Sequence, residues 1–151
     1  MSNEINNWYQ DTFGKKESLI VHNAPMIKKY DNIKYEQKYF EDKFKIPQNA
    51  KKYVFVGQFI PGRSIEYISE VFTELPTDYH IVFVGYGELE NYLKKLSQTN
   101  RNLHIHHALP HDELVDFLKY FDVGICLIEQ ASLSDYYSLP NKLFEYLSAD
   151  L

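Results

Sequence analysis

The sequence predicts an α/β fold: a Rossmann-like, doubly wound parallel sheet with helices on both faces, in three layers. Four short segments are apolar at most successive residues and rich in Val, Ile and Phe, a pattern typical of parallel strands buried on both faces. They are residues 53–57, 80–85, 103–107 and 122–128. A helical pattern follows each of them, and regular alternation of strands and helices predicts a parallel sheet.

The helices are predicted from apolar residues three or four positions apart. The first three helices are indicated by Ile65, Ile68, Val71, Phe72 and Leu75, by Leu89, Tyr92, Leu93 and Leu96, and by Leu114, Phe117, Leu118 and Phe121. The last is indicated by Leu143, Phe144 and Leu147. The third begins at "PHDEL", whose acids suit the positive end of the helix dipole.

The first 50 residues have a different pattern. "INNWYQDTFGKK" predicts a short helix ended by Gly14, and "SLIVHNAP" predicts a short strand ended by Pro25. "IKYEQKYFEDKF" predicts a helix with aromatic residues on one face, namely Tyr35, Tyr39, Phe40 and Phe44. Because this region has too few apolar residues for a core of its own, we expect it to pack on the α/β unit.

Composition excludes several classes of protein. A chain of 151 residues with 44% apolar residues fits one ordinary domain, and a net charge of −5 gives no support to nucleic-acid binding or a polybasic membrane role. Cys126 is the single cysteine, which excludes a disulfide framework and favours a reducing cytoplasm. No apolar run approaches the ~18 residues of a membrane span, and the polar N-terminus is unlike a signal peptide.

Ligands of open parallel sheets bind beyond the carboxyl ends of the strands, so the loops there are the places to look for a site. After the first strand, "GQFIPGRS" combines Gly57 and Gly62, which let the backbone approach a ligand, with Arg63 at the start of a helix. An arginine beside a helix N-terminus can hold a phosphate or diphosphate. A surface arginine after a Pro-Gly turn is the alternative interpretation.

The loop after the second strand, "VGYGELE", is a Gly-x-Gly turn. It lacks the third glycine of a dinucleotide fingerprint, and the acids Glu88 and Glu90 begin the next helix, so a NAD site is not predicted. We expect Gly85 to lie near the ligand.

A cluster of histidines follows the third strand. Four fall within eight residues: His104, His106, His107 and His111. In a strand, His104 and His106 share one face while His107 points the other way. Apart from two acids that start the next helix, no other metal ligand stands at suitable spacing, so we favour a structural role and predict no metal site. The backbone of residues 107–109 is instead a candidate for contacting a nucleotide base.

The start of the last helix, in "SLPNKLFEYL", is the strongest candidate for an anion site. Pro140 is expected at the first helical position, where its missing N–H costs nothing. The free N–H groups of Asn141 and Lys142 would then point toward the preceding loop and attract a phosphate.

Helical spacing places Ser138, Asn141 and Glu145 on one stripe of this helix. The opposite stripe is expected to bury the helix, and it carries Leu143, Phe144 and Leu147. Glu145 would thus lie on the same face as the anion site, where a carboxylate can bind two neighbouring ribose hydroxyls. An ion pair between Glu145 and Lys142 is the alternative.

Five segments together resemble the C-terminal, donor-binding domain of GT-B glycosyltransferases: "YVFVGQFIPGRSIEYI", "HIVFVGYGELENYLKKL", "NLHIHHALPHDELVDFL", "FDVGICLIE" and "YYSLPNKLFEYLSADL". They look most like glycosyltransferase family 4 and its relatives that build bacterial capsule, lipopolysaccharide and exopolysaccharide. The resemblance covers residues 18–151 and implies that the sheet is one half of a GT-B fold. Residues 1–24 would be a remnant of the N-terminal domain with the interdomain segment, and residues 25–151 a nucleotide-sugar-binding domain truncated at its C-terminus.

The resemblance implies a role for several residues. Arg63 matches the basic residue that holds the donor diphosphate, whereas Gln58 stands where a second basic residue is usual. Glu145 matches the carboxylate that ends the Glu-x7-Glu motif and binds the ribose, and Tyr137 replaces the leading Glu. Lys142 and the N–H groups beside it match positions near the donor phosphates. The implied donor-binding residues are Gly57, Gln58, Arg63, Gly85, Tyr137, Ser138, Leu139, Asn141, Lys142 and Glu145.

The implied partners are a UDP- or GDP-sugar donor and a glycan or lipid-linked acceptor bound through the missing domain. Arg63, Lys142 and the helix N-terminus would stabilise the leaving phosphate without a metal or other cofactor. The parent enzyme would be cytoplasmic, with peripheral association at the inner face of the membrane, and the isolated chain is expected to be inactive. Two alternatives remain: a sugar-nucleotide epimerase of GT-B architecture, and a non-catalytic flavodoxin-like binding domain.

Overall fold

The computed structural model describes residues 3–21, 35–130 and 132–151. The strands are β1 (Lys51–Gln58), β2 (Tyr79–Tyr86), β3 (Leu103–His107) and β4 (Val123–Gly124). The helices are α1 (Asn3–Phe13), α2 (Gln37–Phe44), α3 (Ile65–Glu74), α4 (Glu90–Thr99), α5 (His111–Leu118), α6 (Leu133–Tyr136) and α7 (Asn141–Ser148). All strand pairs are parallel, in the order β3-β2-β1-β4, so the predicted architecture is confirmed.

The sheet is buried between two layers of helices, as its nearly continuous apolar strands require. On one face Phe55 and Phe83 pack with apolar residues of α3 and α4 such as Ile68 and Leu93. On the other face the core includes residues of β1 and β2 together with apolar side chains of α2, α5 and α7: Phe40, Val54, Val82, Phe117 and Tyr146. Among the described residues, none of the helices has both the length and the hydrophobicity needed to span a bilayer.

The amino-terminal region follows its predicted pattern in part. Helix α1 ends at Phe13, and Gly14 has the positive φ that favours glycine at a helix end. The aromatic face predicted for α2 is confirmed, because Tyr35, Phe40 and Phe44 are buried. No strand forms at residues 18–21, and the rest of "SLIVHNAP" lies outside the described residues.

The strand predicted at 122–128 is wrong beyond Gly124, and a side chain explains why. Ile125 still donates its N–H to Val54 of β1 (N···O 2.8 Å). The N–H of Val56, however, donates to the hydroxyl of Tyr146 (3.0 Å), and that hydroxyl donates to the carbonyl of Ile125 (3.0 Å). The Tyr146 hydroxyl therefore replaces the next backbone hydrogen bonds between β1 and β4. Beyond that point the chain leaves the sheet as a loop.

The buried face of α7 also differs from the prediction. Leu147 is 61% exposed and Leu143 is 38% exposed, whereas Glu145 and Tyr146 are buried. Because Tyr146 must reach the sheet, it and Glu145 lie on the inner face of the helix. The helix begins at Asn141, so Pro140 is the residue before the first helical position rather than that position itself.

Candidate functional site

A cleft of about 450 Å³ lies at the carboxyl end of β1, bounded by the loop after β4 and the start of α7. Its lining includes seven of the residues that the sequence indicated: Gly57, Gln58, Arg63, Ser138, Asn141, Lys142 and Glu145. These residues come from two segments far apart in the chain, 57–63 and 138–145. The parallel sheet brings them together because its loops meet at one edge.

Gly57 and Gly85 face each other across β1 and β2 at this edge. Both have positive φ, 142° and 155°, and a Cβ on Gly85 would overlap the carbonyl oxygen of Gly57. A Cβ on Gly57 would lie 3.5 Å from the Nζ atom of Lys142. That distance is an ordinary contact, so the positive φ rather than crowding favours glycine at position 57. Gly85 belongs to a neighbouring depression whose lining includes His107 and Ala108.

Lys142 is a partly desolvated cation in the lining of the cleft. Its Nζ atom lies 3.8 Å from the centroid of the Phe55 ring, a cation–π contact that holds the ammonium group against the strand. Burial, together with the nearby charge of Arg63, lowers the pKa of Lys142 to about 8, although Cys126 and Glu145 act in the opposite direction. Within the described chain no carboxylate forms an ion pair with Lys142, so an incoming anion would meet an uncompensated cation.

The first backbone amides of α7 point into the same region. Leu143 already donates its N–H to the carbonyl of Pro140 (3.1 Å). The N–H groups of Asn141 and Lys142 donate no hydrogen bond in the described part of the chain. Two free amides at a helix N-terminus, next to an ammonium group, make an anion site.

The N-terminus of α3, unlike that of α7, is already occupied by a carboxylate of the chain itself. The sequence led us to expect Arg63 to hold a phosphate beside this helix N-terminus, and the structure changes that arrangement. The Glu129 carboxylate already accepts a hydrogen bond from the N–H of Ser64 (3.1 Å), the residue before α3 begins. Arg63 in turn lies 3.7 Å from Asp135 in an ion pair. The guanidinium is therefore held at the side of the cleft by a carboxylate, and the open helix terminus is that of α7.

Glu145 is a largely buried carboxylate of the cleft with a partner of its own, His111. It is 9% exposed, and its Oε1 atom lies 3.6 Å from Nδ1 of His111. Burial raises the pKa of Glu145, while His111 and Lys142 act to lower it. Instead of the Lys142 pair considered from spacing, the structure places the Glu145 carboxylate beside the imidazole of His111.

Three predicted residues do not line this cleft. Gly85 lies in the neighbouring depression, and Leu139 is 42% exposed beside the start of α7. Tyr137 lines a separate pocket with Trp8 of α1. Sequence reasoning also missed Glu129, Asp135 and the partnership of His111 with Glu145, since charged residues in irregular loops have no spacing that identifies their partners.

The histidines do not converge on one point. His104 and His106 both lie beside the ring of Phe44, as strand alternation predicts. His104 forms a hydrogen bond with His80 (3.0 Å), and His106 one with the hydroxyl of Tyr39 (2.8 Å). In the described part of the chain no group of three or more His, Cys, Asp or Glu side chains is placed to hold a metal.

Comparisons with known proteins show a family match and similarity to known glycosyltransferases. The family model described as "Glycosyl transferases group 1" matches residues 36–136. An uncharacterized glycosyltransferase of Methanocaldococcus jannaschii, MJ1069, is 27% identical over 132 residues, which are 83% of this chain and 33% of that protein.

Among solved structures, WaaG, a glycosyltransferase involved in lipopolysaccharide biosynthesis, is similar with a TM-score of 0.56 and 15% identity. The match covers 82% of this chain and 32% of WaaG. The likeness to WaaG concerns the fold, and the chain spans about a third of the length of both relatives.

Proposed function

Because the chain belongs to the group 1 glycosyl transferases, we propose that the cleft between β1 and α7 binds the nucleotide-sugar donor of a glycosyl transfer reaction. The observation that carries this proposal is the convergence of Lys142, Arg63 and two free amides of α7 on one cleft. Cations and unpaired N–H groups at a helix N-terminus are suited to a diphosphate.

Each part of the cleft has a role in this proposal. The diphosphate lies at the start of α7, where Lys142 and the amides of Asn141 and Lys142 surround it. Arg63 binds the phosphate from the other side, and Glu145 accepts hydrogen bonds from the ribose hydroxyls. When the bond between sugar and diphosphate breaks, negative charge develops on the leaving phosphate, and these fixed groups stabilise it without a metal.

The whole enzyme, in this proposal, is a family 4 type glycosyltransferase that moves a sugar from a UDP- or GDP-sugar to a glycan or lipid-linked acceptor. The structural likeness to WaaG favours a role in cell-surface polysaccharide synthesis. The acceptor would be bound largely by parts of the enzyme that correspond to the remaining two thirds of its relatives. Family membership favours glycosyl transfer over an epimerase or a flavodoxin-like binding domain.

Isothermal titration of the chain with UDP and with GDP tests the donor site. We expect one of the two to bind, and the double variant Arg63→Ala, Glu145→Ala to lose at least roughly tenfold in affinity, since charge-assisted hydrogen bonds contribute about 1.5–3 kcal/mol each. The matched control is Glu74→Ala, Arg101→Ala, which removes one exposed acid and one exposed base away from the cleft. Equal affinities of wild type and double variant, or no binding of either nucleotide, would contradict the proposal.

The role of Glu145 is separable from that of the phosphate groups. Removing both ribose hydroxyls, with 2′,3′-dideoxy-UDP or its GDP counterpart, should weaken binding to the wild type but have little further effect on Glu145→Gln. Inorganic pyrophosphate should bind both proteins alike. If Glu145→Gln weakens the binding of pyrophosphate as much as the binding of the nucleotide, the carboxylate acts on the phosphate region and not on the ribose.

A further inference from the structure

Two depressions border β3, the strand at one edge of the sheet. They have volumes of about 580 and 620 Å³ and share four residues of their lining: Phe44, Ser97, Leu103 and His104. All five residues of β3 line the first depression, and the second continues past Arg101 toward the amino ends of the strands. We call the combined depression the edge groove. None of its lining residues lines the cleft between β1 and α7.

The backbone of β3 has unpaired hydrogen-bonding groups along this groove. The N–H of Ile81 on β2 donates to the carbonyl of Asn102, the residue before β3 (2.8 Å). Because alternate residues of a strand bond to the same neighbour, every second residue of β3 beginning at Leu103 turns its backbone groups away from β2. In the described part of the chain no hydrogen bond satisfies the carbonyl of Leu103, the N–H and carbonyl of Ile105, or the N–H of His107.

The shape of the edge groove suits an extended segment. Lys94 and Ser97 of α4 line one side. On the other side Phe44, the last residue of α2, packs beside His104 with ring centroids 5.4 Å apart. The five residues of β3 give the groove a floor roughly 16 Å long. Proline and charged Lys or Glu, which commonly protect an edge strand from pairing, are absent from β3.

The edge groove is basic, although the chain as a whole has a net charge of −5. Lys45 and Arg101 line it, and within the described residues no carboxylate forms an ion pair with either of them. Glu90 is the one carboxylate among the described lining residues, and it is paired with Lys94 (2.6 Å). Acidic side chains of an occupant would therefore meet uncompensated cations.

Charge also distinguishes an acidic partner from a second copy of the chain. A two-fold pairing of two β3 strands would place the same surface of both copies in one interface. Two basic linings would then be brought together, and like charges oppose such an association.

We propose that the edge groove binds an extended acidic segment of a partner protein, which joins the sheet as a strand beside β3. The main chain of the segment hydrogen-bonds to Leu103, Ile105 and His107, and its carboxylates lie toward Lys45 and Arg101. This interaction does not depend on the proposed nucleotide site, because β2 separates β3 from β1 and the two sites share no lining residue.

Synthetic peptides test the proposal, with hydrogen exchange followed by ¹⁵N NMR. The probes are capped eight-residue peptides in which Glu alternates with Val, Thr or Tyr, and the controls carry Lys in place of Glu. We expect a Glu peptide to bind and to slow exchange of the Ile105 and His107 amides by at least roughly tenfold, because both gain a hydrogen-bond partner. The amides of His104 and His106, which face β2, should change little. The Lys peptides should not bind.

The backbone contribution can be tested within the peptide itself. N-methylation of one alternate set of its residues removes the N–H groups that face β3, and should weaken binding by roughly tenfold or more. Methylation of the other set removes N–H groups that face away, and should have little effect. Equal effects of the two methylated peptides would contradict pairing with a strand.

The charge contribution is tested on the protein. The double variant Lys45→Gln, Arg101→Gln should weaken the Glu peptide by roughly three- to tenfold. The matched control is Lys15→Gln, Lys16→Gln, which removes two exposed bases that do not line the groove.

Two results would overturn the proposal. One is that no Glu peptide binds at millimolar concentration, or that one binds without slowing exchange at Ile105 and His107. The other is slow exchange of these two amides without any peptide, together with a dimer in sedimentation, which would assign the edge to a second copy of the chain. Titration with UDP or GDP tests the nucleotide site separately, so either proposal can fail alone.

Discussion

The ring of Tyr146 occupies the space beside Gly124 in which any other residue would carry its Cβ. A Cβ built on Gly124 would lie 2.5 Å from the ring, closer than real Cβ atoms approach their neighbours. From this position the Tyr146 hydroxyl reaches the N–H of Val56 and the carbonyl of Ile125. The contact between Gly124 and Tyr146 thus holds α7 against the sheet. It places Lys142 and Glu145 of α7 near Gly57, at the carboxyl end of β1.

Tyr146→Phe should lower the free energy of unfolding by about 1–3 kcal/mol, because the buried N–H of Val56 and the carbonyl of Ile125 lose a partner. Chemical denaturation measures this, with Tyr67→Phe, an exposed tyrosine, as the control. Gly124→Ala should cost a similar ~1–3 kcal/mol through overpacking against the Tyr146 ring. Stability equal to wild type in both variants would show that this contact does not hold α7.

The strands and helices could be predicted because apolar periodicity records which face of an element is buried. Residues such as Phe40 and Phe83 follow that rule. The contact of Tyr146 with Val56 could not be predicted, since it joins residues 90 positions apart through one hydroxyl. The length of β4 and the buried face of α7 depend on that contact, which is why both predictions failed.

For the candidate site, too, the positions set by the sheet could be predicted from the sequence, whereas individual contacts between side chains could not. Gly57 lies at the carboxyl end of β1, Arg63 in the loop that follows it, and Lys142 at the start of α7. Because the parallel sheet brings these ends together, their meeting in one cleft was predictable. The ion pair of Arg63 with Asp135 depends on the path of an irregular loop. No periodic pattern encodes such a path.

Nucleotide affinity should depend on the protonation of Lys142. Its pKa in the free chain lies at about 8, below the usual 10.5, so the ammonium group is charged below about pH 8 and loses its proton as pH rises through that value. Affinity for UDP or GDP should be constant just above neutrality and fall as pH rises past about 8. Titrations across this range measure the effect. Lys142→Arg keeps its charge and should show a flat profile, and an equally steep fall in that variant would assign the titration to another group.

Asp135 forms an ion pair with Arg63, so in the proposed site it would compete with the phosphate for the guanidinium. Asp135→Asn should free the guanidinium and raise the affinity for UDP or GDP by roughly two- to fivefold, as expected for a partly exposed ion pair. Asp78→Asn, which changes an exposed acid just before β2 at the other end of the sheet, is the control. Weaker binding by Asp135→Asn would mean that Asp135 positions Arg63 rather than opposing its ligand.

Acid should destabilise the chain through its buried histidines. Burial lowers the pKa values of His104 and His106 to about 4, with added repulsion from His80 for the first. In the unfolded chain a histidine binds a proton below about pH 6.5, so this stability is complete above that pH and is lost as pH falls from about 6.5 toward 4.

The expected loss is on the order of 1 kcal/mol or more for each of these two histidines, measured as the free energy of unfolding against pH. The double variant His104→Gln, His106→Gln should lose less stability over the same range, whatever its stability at neutral pH. Parallel curves for variant and wild type would place the acid sensitivity elsewhere.

The most direct test of the central claim is the set of backbone amide shifts in two-dimensional ¹⁵N NMR spectra as UDP or GDP is added. If the cleft binds the donor, the largest shifts fall at Gly57, Gln58, Asn141 and Lys142, and the Asn141 and Lys142 amides move as expected for new hydrogen bonds to phosphate. Shifts concentrated near Lys51 and Tyr79, at the amino ends of the strands, with Asn141 and Lys142 unchanged, would contradict it.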